Sequence, residues 1–407
     1  MKLSVDLPFF SFSWDNGKEA RAVGINTPGN LGKSLKDTYL NAIPTAGVTV
    51  NTNTATNLSA VYRAINWCCD SLSLPLDVYR KSNEGRSIIT ESDEYYYAQY
   101  LLRTSPSKLH TPSEWIRLME MSRLMYGNGY TRIVRDLNLK PVAFQWMHPD
   151  HVRVMSDGVE MYYEYTTPNQ KPIELRYWDV IHIRALSFDG FVGKSPITVA
   201  RESLSVGLAQ QQTSVDYYAS GMKQKVVLTH PAHLGDVAGK NLKESFDGQM
   251  KGEGTIVLEE GLKPYPLTIP PADSQFLESR VFTIQEIARW YGVSPQVLMD
   301  ASKSNYNTLE QQSLWDIRDS VRPRARMYEQ ELNWKLLYND SSVYCQFNMN
   351  ALMRADFKTR YDAYALAIQN RILNPNEVRD MEDKNGYEGG DKYENPNITP
   401  GEPGKGQ

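Results

Sequence analysis

Hydrophobic side chains recur at helical spacing early in the chain and again after residue 110. A first helix is predicted to begin at Ser59, whose hydroxyl suits an N-cap, and to stop at Pro75. Its apolar face comprises Val61, Ile65, Cys68 and Leu72. A second helix opens on the capping box Thr111-Pro112-Ser113-Glu114 and ends at Gly127. The side chains on its inner face are Trp115, Leu118, Met119, Ser122 and Met125.

The hydrophobic period changes to two between Tyr130 and Arg184, which is typical of strands. Short alternating segments, from TRIVRD to VIHIR, are separated by turn signals such as Ser156-Asp157-Gly158. We expect them to form an antiparallel meander, preceded by one strand in PLDVYRKS. The predicted fold class is therefore α+β. No strand alternates with helices in the manner of a doubly wound nucleotide-binding sheet.

Helical spacing returns after Pro196. The first stripe comprises Ile197, Ala200, Leu204, Leu208, Val215 and Tyr218. The second stripe, which ends at Gly292, comprises Leu277, Val281, Ile284, Ala288 and Tyr291. Between the two stripes, at about residues 223–271, we expect strands in VVLTH and TIVLE and a polar helix.

A long helix is predicted to open at Thr308. Its stripe comprises Leu314, Val321, Tyr328, Leu332 and Leu336. Pro323 should bend this helix, because proline removes the hydrogen bond to the carbonyl of Asp319. Two more helices are expected after residue 355, the second opened by the capping signature Asn374-Pro375-Asn376-Glu377.

Both ends of the chain have compositions typical of irregular structure. Residues 1–57 are rich in Gly, Asn and Thr and suggest a flexible arm, and residues 391–407 suggest a disordered tail. Asp6 and Pro8 interrupt the first apolar stretch, which makes it a poor secretory signal. No run approaches the ~20 apolar residues of a membrane helix. Three cysteines without metal-type spacing suit a reducing compartment.

Charge is nearly balanced, with 44 basic and 48 acidic residues. The imbalance lies in residues 374–407, which hold 8 acidic and 4 basic residues and leave 40 of each elsewhere. A protein built to grip nucleic acid usually has a basic excess. We therefore expect any contact of this chain with DNA to be weak, local or transient.

The stretch DGFVGKSP resembles the end of a phosphate-binding loop. Such a loop needs glycine five residues before Gly193, where this chain has Phe188, and Pro196 removes a backbone N–H from the cradle. Nucleotide hydrolysis is therefore not expected. We interpret the stretch as a strand-to-helix connection in which Ser195 caps the next helix and Pro196 starts it.

Two close histidine pairs, His148/His151 and His230/His233, lack any recognised zinc spacing. We interpret them as turn or strand-end residues. Hydrolase elbows and cysteine–histidine signatures are missing as well. The sequence thus predicts no catalytic residues, no metal and no cofactor, and the protein is expected not to be an enzyme.

Four arginines cluster around Pro323. They are Arg318, Arg322, Arg324 and Arg326. Two interpretations stay open: a solvated helix face with pairing four residues apart, or an intersubunit ion-pair belt or phosphate-facing surface.

Several segments resemble those of bacteriophage portal proteins, the head-to-tail connectors of long-tailed phages. They include NLSAVYRAINWCCDSLSLPLDVYR, EWIRLMEMSRLMYGNGYTRIVRD, DVIHIRALSFDGFVGKSPITVARESL, FLESRVFTIQEIARWYGVSPQVLMD and SNYNTLEQQSLWDIRDSVRPRARMYEQELNWKLL. The resemblance keeps the family's motif order and covers about residues 58–383.

The resemblance implies a portal fold assembled as a ring of about twelve copies. Between the arm (1–57) and the tail (391–407), which composition suggests, the resemblance implies an α+β wing (58–195), stem helices (196–221 and 273–292) and a small α/β clip (222–272). It also implies a tunnel loop (293–307), a long wing helix with a following strand (308–355) and crown helices (356–390). The tunnel-loop residues expected at the DNA channel are Gln296, Val297, Met299, Lys303, Ser304, Asn305 and Asn307.

The resemblance also implies partners and a place of action. Double-stranded DNA would pass through without sequence preference, and the packaging motor (terminase large subunit), the major capsid or scaffold protein and a head–tail adaptor would dock. The protein would reside at the portal vertex of the virion, and in the host cytoplasm during assembly, without a membrane. The alternatives are a DNA-processing enzyme, such as the motor ATPase or a nuclease, and another ring-forming adaptor.

Overall fold

The computed structural model describes most of the chain in two compact units. The described residues are 3–7, 10–14, 47–82, 85–156, 161–167, 171–219, 226–229, 240, 244, 263–266, 273–299, 306–337, 340–349, 357–382 and 384–393. One unit combines Met1–Leu72 with Glu114–Val321, and the other combines Ser73–Ser113 with Arg322–Gln407. Helices and antiparallel sheets occur together, so the α+β class is confirmed at this level.

The helices among these residues are α1 (Thr52–Ala55), α2 (Ser59–Leu72), α3 (Tyr96–Gln99), α4 (Pro112–Tyr126), α5 (Pro196–Val199), α6 (Arg201–Ala219), α7 (Asp273–Tyr291), α8 (Tyr306–Trp315), α9 (Arg322–Leu336), α10 (Phe357–Gln369) and α11 (Pro375–Met381). The strands are β1 (Leu3–Leu7), β2 (Phe10–Trp14), β3 (Leu76–Ser82), β4 (Gly85–Ile88), β5 (Asn128–Arg135), β6 (Pro141–Met147), β7 (Val152–Ser156), β8 (Met161–Tyr165), β9 (Ile173–Arg176), β10 (Val180–Arg184), β11 (Val226–Thr229), β12 (Lys263–Pro266) and β13 (Val343–Phe347).

Helix α2 forms the centre of the first unit's helical core, where it packs against α7. Its predicted face is confirmed, because Val61, Cys68 and Leu72 are completely buried and Ile65 is 7% exposed. Its predicted cap is wrong. The backbone N–H of Tyr62 bonds the carbonyl of Leu58, so Ser59 already lies inside the first turn.

The stripe predicted after Pro196 is buried only in its first half. Leu204 and Leu208 lie in the helical core, whereas Val215 and Tyr218 are 53% and 69% exposed. The second half of α6 is therefore more exposed than the first. The stripe of α7 also contains the buried Ile287, which the predicted spacing omitted.

The predicted meander is confirmed for the pairs β5–β6, β7–β8 and β8–β9 and is wrong at β6–β7 and β9–β10. Strands β5, β6 and β10 form one sheet in the order β10-β5-β6, and β7, β8 and β9 form a second sheet in that order. A 3₁₀ turn at Tyr177–Asp179 separates β9 from β10, and β10 pairs with β5 instead. Strand β5 lies between β10 and β6. Its residues Asn128 to Thr131 are buried, as expected of a central strand.

The second unit contains the three-stranded sheet β13-β3-β4, covered by α9. The guanidinium of Arg80, on the central strand β3, bonds Asp93 at 2.8 and 2.9 Å and Asp340 at 3.1 Å. The hydrogen bonds from Arg80 also lower the pKa of Asp93 below its ordinary value. In α11, the Asn374–Glu377 capping box is confirmed by bonds of 2.7 and 2.8 Å.

The long helix around Pro323 differs from the prediction in its local geometry, in one stripe residue and in its start. A π-helical segment, Asp316–Val321, stands directly before α9, so five-residue spacing accommodates the missing proline N–H. Val321, Tyr328 and Leu332 are buried as predicted, but Leu314 is 53% exposed. The helix begins at Tyr306 rather than at Thr308.

Between the two stem-like helices, β11 pairs with β12. The strand predicted at 255–259 and the pair His230/His233 lie outside the described residues, as do most of residues 220–262. In the parts of the chain that the structure covers, no helix has the length and apolar character needed to cross a membrane.

Candidate functional site

The segment that follows α7 is built as an anchored turn. Gly292 ends the helix with φ +62°, a left-handed conformation that glycine adopts without cost. The chain then forms a 3₁₀ turn, Pro295–Leu298. Met299 follows with φ +64° and is 75% exposed. The turn therefore ends at an exposed residue, Met299.

Asp316 holds the start of this turn. Its carboxylate accepts hydrogen bonds from the backbone N–H of Ser294 at 2.8 Å and from the Ser294 hydroxyl at 2.6 Å. Asp316 is only 8% exposed and lies in the π-helical segment. This contact ties the turn to the helical segment around Asp316. π-Helical segments often occur at functional positions.

Two further contacts attach the turn to the helical core. Arg63 of α2 donates its Nε–H to the carbonyl of Val297 at 3.1 Å. Leu298 is buried in the core, and Val297 packs against it. The base of the segment is therefore rigid, although Met299 faces solvent.

The predicted channel residues divide into three groups. Gln296 and Val297 lie in the 3₁₀ turn and are half-buried. Met299 is exposed, and Asn307 lies in α8, which corrects the loop's end. The remaining residues, Lys303, Ser304 and Asn305, lie outside the described residues.

Replacing Asp316 with alanine is expected to lower the free energy of unfolding by about 2 kcal/mol, because two hydrogen bonds to Ser294 are lost in a buried place. Asp319, in the same π-helical segment, is the matched control. It is 62% exposed and forms a surface ion pair with Arg318, so Asp319→Ala should change stability little. Urea unfolding of both variants measures the difference, and equal losses would contradict the anchoring role.

The four arginines do not share one environment. Arg318 forms an exposed ion pair with Asp319 at 2.7 Å, and its hydrogen bonds hold the pKa of Asp319 below the usual value. Arg322 and Arg326 are exposed as well. Arg324 is only 8% exposed, so an accessible arginine surface would be formed by the other three.

The Gly193-Lys194-Ser195 stretch is the predicted strand-to-helix connection. The Ser195 hydroxyl accepts the N–H of Ile197 at 3.1 Å and donates to the carbonyl of Leu124 at 2.9 Å. Pro196 is the first residue of α5. Ser195 is 3% exposed and therefore acts as a buried helix cap.

A buried polar network behind this connection was missed by sequence reasoning. Asn128 donates its amide to the carbonyl of Gly193 at 2.9 Å and accepts the Gly193 N–H at 2.8 Å. Those two bonds fix the amide orientation, so His182 donates Nε2–H to Asn128 Oδ1 at 3.0 Å. The Tyr163 hydroxyl then donates to His182 Nδ1 at 3.1 Å. Nothing in the sequence spacing of these residues signals the network.

His148 is a turn residue, as interpreted. Its Nδ1 accepts the N–H of Asp150 at 3.3 Å, and its ring lies 5.1 Å from Tyr126 and 5.6 Å from Trp146. The ring of His151 lies 5.4 Å away. Among the described residues, His, Cys, Asp and Glu side chains form no group of three that a metal ion would need.

The described elements define an α+β protein in which two long helices flank a small two-stranded element, and an anchored turn follows the second helix. The family of phage portal proteins matches residues 59–383, and the chain belongs to this family. The chain is 25% identical over 353 residues to the portal protein of Enterobacteria phage HK97, covering 84% of this chain and 82% of that protein. It is 28% identical over 364 residues to the probable portal protein of Streptomyces phage phiC31, covering 84% and 78%.

Solved structures show the same fold. An HK97-family phage portal protein from Corynebacterium diphtheriae aligns with a TM-score of 0.56 and 15% identity, over 74% of this chain and 96% of that one. A chain from the neck of a native gene transfer agent particle, computed with C12 symmetry, aligns with a TM-score of 0.53 and 19% identity, over 87% and 93%. The predicted resemblance to portal proteins is confirmed.

Proposed function

We propose that this chain is the non-enzymatic subunit of a portal ring through which double-stranded DNA enters and leaves the capsid. The observation that carries the proposal is the match to the portal family across 59–383. Likeness to a chain of a C12-symmetric neck supports a ring of twelve copies. Such a ring closes through identical head-to-tail contacts between neighbouring subunits.

Helix α6 supports assembly of this kind. Its second half leaves Val215 exposed, although this residue continues the stripe of the buried Leu204 and Leu208. An apolar stripe that continues beyond its own core needs a partner. A neighbouring subunit of the ring would provide one.

The DNA-facing role is assigned to the segment between α7 and α8. Its base is held by Asp316 and Arg63, so the chain leaves the body at a fixed place. Lys303 is the one cation in 293–307, accompanied by the short polar Ser304, Asn305 and Asn307. Because every retained phosphate contact adds salt-sensitive grip, a ring with few cations would hold DNA weakly and let it slide.

The divisions that the resemblance implies are proposed for this chain with the observed elements placed in them. Residues 58–195 form the wing, 196–221 and 273–292 the stem, 222–272 the clip, 293–307 the tunnel loop, 308–355 the long wing helix and strand, and 356–390 the crown. The clip would bind the terminase large subunit and later the head–tail adaptor. The ring would act at the capsid vertex, after assembly in the host cytoplasm.

Lys303→Glu tests the channel role. It places carboxylates along the path of a polyanion, so DNA packaged per particle should fall severalfold while rings still form. Lys171→Glu is the control, because Lys171 is exposed and lies far from this segment in sequence. Quantitative PCR of nuclease-protected DNA and electron microscopy of purified rings measure the two outcomes.

Loss of ring assembly with Lys303→Glu, or equal packaging defects in both variants, would contradict the assignment of the loop. Micrographs of the wild-type protein without a central hole, or ATP turnover by it, would contradict the portal function itself.

A further inference from the structure

The connection from β10 to α5 presents three large apolar side chains to solvent within six residues. Leu186 is 74% exposed, Phe188 is 71% exposed and Phe191 is 37% exposed. We refer to residues 186–192 as the aromatic loop. Single exposed apolar residues are common on protein surfaces, whereas a contiguous group of them marks a place where another molecule binds.

Hydrogen bonds hold the aromatic loop in one shape. The carboxylate oxygen Oδ1 of Asp189 accepts the backbone N–H groups of Phe191 at 2.8 Å and Val192 at 2.9 Å. At the base of the loop, Lys194 donates its backbone N–H to the carbonyl of Leu186 at 2.9 Å. A loop whose shape is fixed beforehand loses little conformational entropy when it binds.

The charges of the loop leave one carboxylate oxygen to offer. The guanidinium of Arg184 donates to the carbonyl of Gly190. The ammonium of Lys194 lies 5.4 Å from the centre of the Phe188 ring. Both cations are thus engaged by the loop itself. The two backbone bonds to Asp189 fall on Oδ1, so its Oδ2 can accept a hydrogen bond from a cation of another molecule.

A cleft of matching character lies between α6, α7 and the start of α2. Its apolar lining comprises Leu58, Ala60, Ile284 and Ile287. Arg280 is exposed and is the only charged residue among the described residues that line the cleft. The cleft has a volume of about 90 Å³. This is less than the ~150 Å³ of a cavity that holds benzene, so it has room for one partly inserted side chain and not for a helix or a strand.

Size and charge identify the occupant as the aromatic loop of a second copy. A protruding side chain fits the size of the cleft, and the carboxylate of Asp189, directly after Phe188, matches the charge of Arg280. Loop and cleft belong to the same unit, and within the described residues the loop does not line the cleft of its own chain. A surface and its complement at separate places on one chain form head-to-tail contacts, which close into a ring when the rotation matches.

We propose that Phe188 of one copy enters the cleft between α6 and α7 of the neighbouring copy, where Asp189 pairs with Arg280. Leu186 and Phe191 cover the rim of the cleft. This inference rests on the proposed function, since it takes the ring as its setting, and it goes beyond that function by naming the two surfaces that meet.

A pair of cysteines tests the contact directly. Phe188→Cys places a thiol on the aromatic loop, and Gln211→Cys places one at an exposed position that lines the cleft. The three native cysteines are buried, so mild oxidation should join the engineered thiols. The double variant should give a ladder of cross-linked species larger than dimers on a non-reducing gel. Each single variant should give none, because a head-to-tail contact never brings two loops or two clefts together.

Phe188→Cys/Leu137→Cys is the matched control. Leu137 is fully exposed in the same unit and does not line the cleft, so this variant should give no ladder. Wild-type rings in electron micrographs, together with no ladder from Phe188→Cys/Gln211→Cys, would overturn the contact and leave the portal function standing. A wild-type protein without rings would overturn both.

The strength of the contact is measured as the protein concentration at which half of the subunits are in rings, determined by mass photometry. Phe188→Ser should raise it about tenfold or more, since an aromatic anchor leaves its pocket. The unfolding midpoint should not change, because Phe188 is exposed in the single chain. Leu137→Ser should leave both quantities unchanged, and an equal effect of the two serine variants would contradict a specific role of Phe188.

The charge pair is tested by neutral variants. Asp189→Asn keeps Oδ1 as the acceptor that shapes the loop, and Arg280→Gln removes the guanidinium. Each should raise the half-assembly concentration about threefold. The double variant should be no weaker than either single one, because the same contact is lost in all three. Additive losses would show that Asp189 and Arg280 do not pair and would overturn this part of the proposal.

Discussion

Replacing Gly193 with alanine is expected to destabilise the protein by about 4 kcal/mol or more, enough to deplete the folded state. A Cβ at this position would lie 2.3 Å from the carbonyl oxygen of Gly127 and 2.5 Å from the backbone nitrogen of Ala185. Both obstacles are backbone atoms, so a change of side-chain rotamer cannot relieve the clash.

The surrounding bonds prevent the backbone from moving away. Ala185 donates its N–H to the carbonyl of Gly127 at 2.8 Å, and Asn128 holds both polar groups of Gly193. Separating these segments would break the Asn128 network, in which His182 is 3% exposed. The unpaired buried groups would add their own desolvation cost.

Gly190 in the same loop provides the matched control. Its φ is +79°, and a Cβ there would meet nothing within 4 Å. Gly190→Ala should therefore cost only the backbone strain, about 1 kcal/mol. Urea unfolding followed by far-UV circular dichroism compares the two variants. Similar losses for both would show that close packing at Gly193 is not what stabilises this connection.

The sequence was sufficient to predict elements whose signals are local. The faces of α2, the start of α4 at Pro112, the cap of α11 and the end of α7 at Gly292 depend on residues a few positions apart. Strand pairing is not local. The alternating pattern states which face of a strand is buried but not which strand lies beside it, so the partner of β10 was predicted incorrectly.

The segment proposed as the candidate site was predictable as a connection between helices, but the contacts that support it were not. Glycine, proline and polar residues marked 293–307 as a connection, and the family resemblance suggested its role. The contact between Asp316 and Ser294 joins residues 22 apart across two elements. Asn128 and Gly193 are 65 residues apart. No spacing rule connects such pairs, because tertiary packing alone brings them together.

Glu120 and Arg123 form a buried ion pair on α4, and breaking it is the second large expected effect. Arg123 donates its Nε–H to Glu120 at 2.7 Å, and the exposed fractions of the two side chains are 9% and 0%. Glu120→Gln leaves the guanidinium in the core without its carboxylate. The free energy of unfolding should fall by about 3 kcal/mol.

The pair Glu286 and Arg289 on α7 has the same spacing but lies at the surface, where Arg289 is 62% exposed. Glu286→Gln should therefore cost less than about 0.5 kcal/mol. A double variant, Glu120→Met/Arg123→Met, should recover most of the stability lost by Glu120→Gln, because two apolar side chains of similar length need no charge partner. Chemical denaturation of the three variants distinguishes charge burial from packing. If the double variant were as unstable as the single one, the loss would come from packing in α4, and the ion pair would not be its cause.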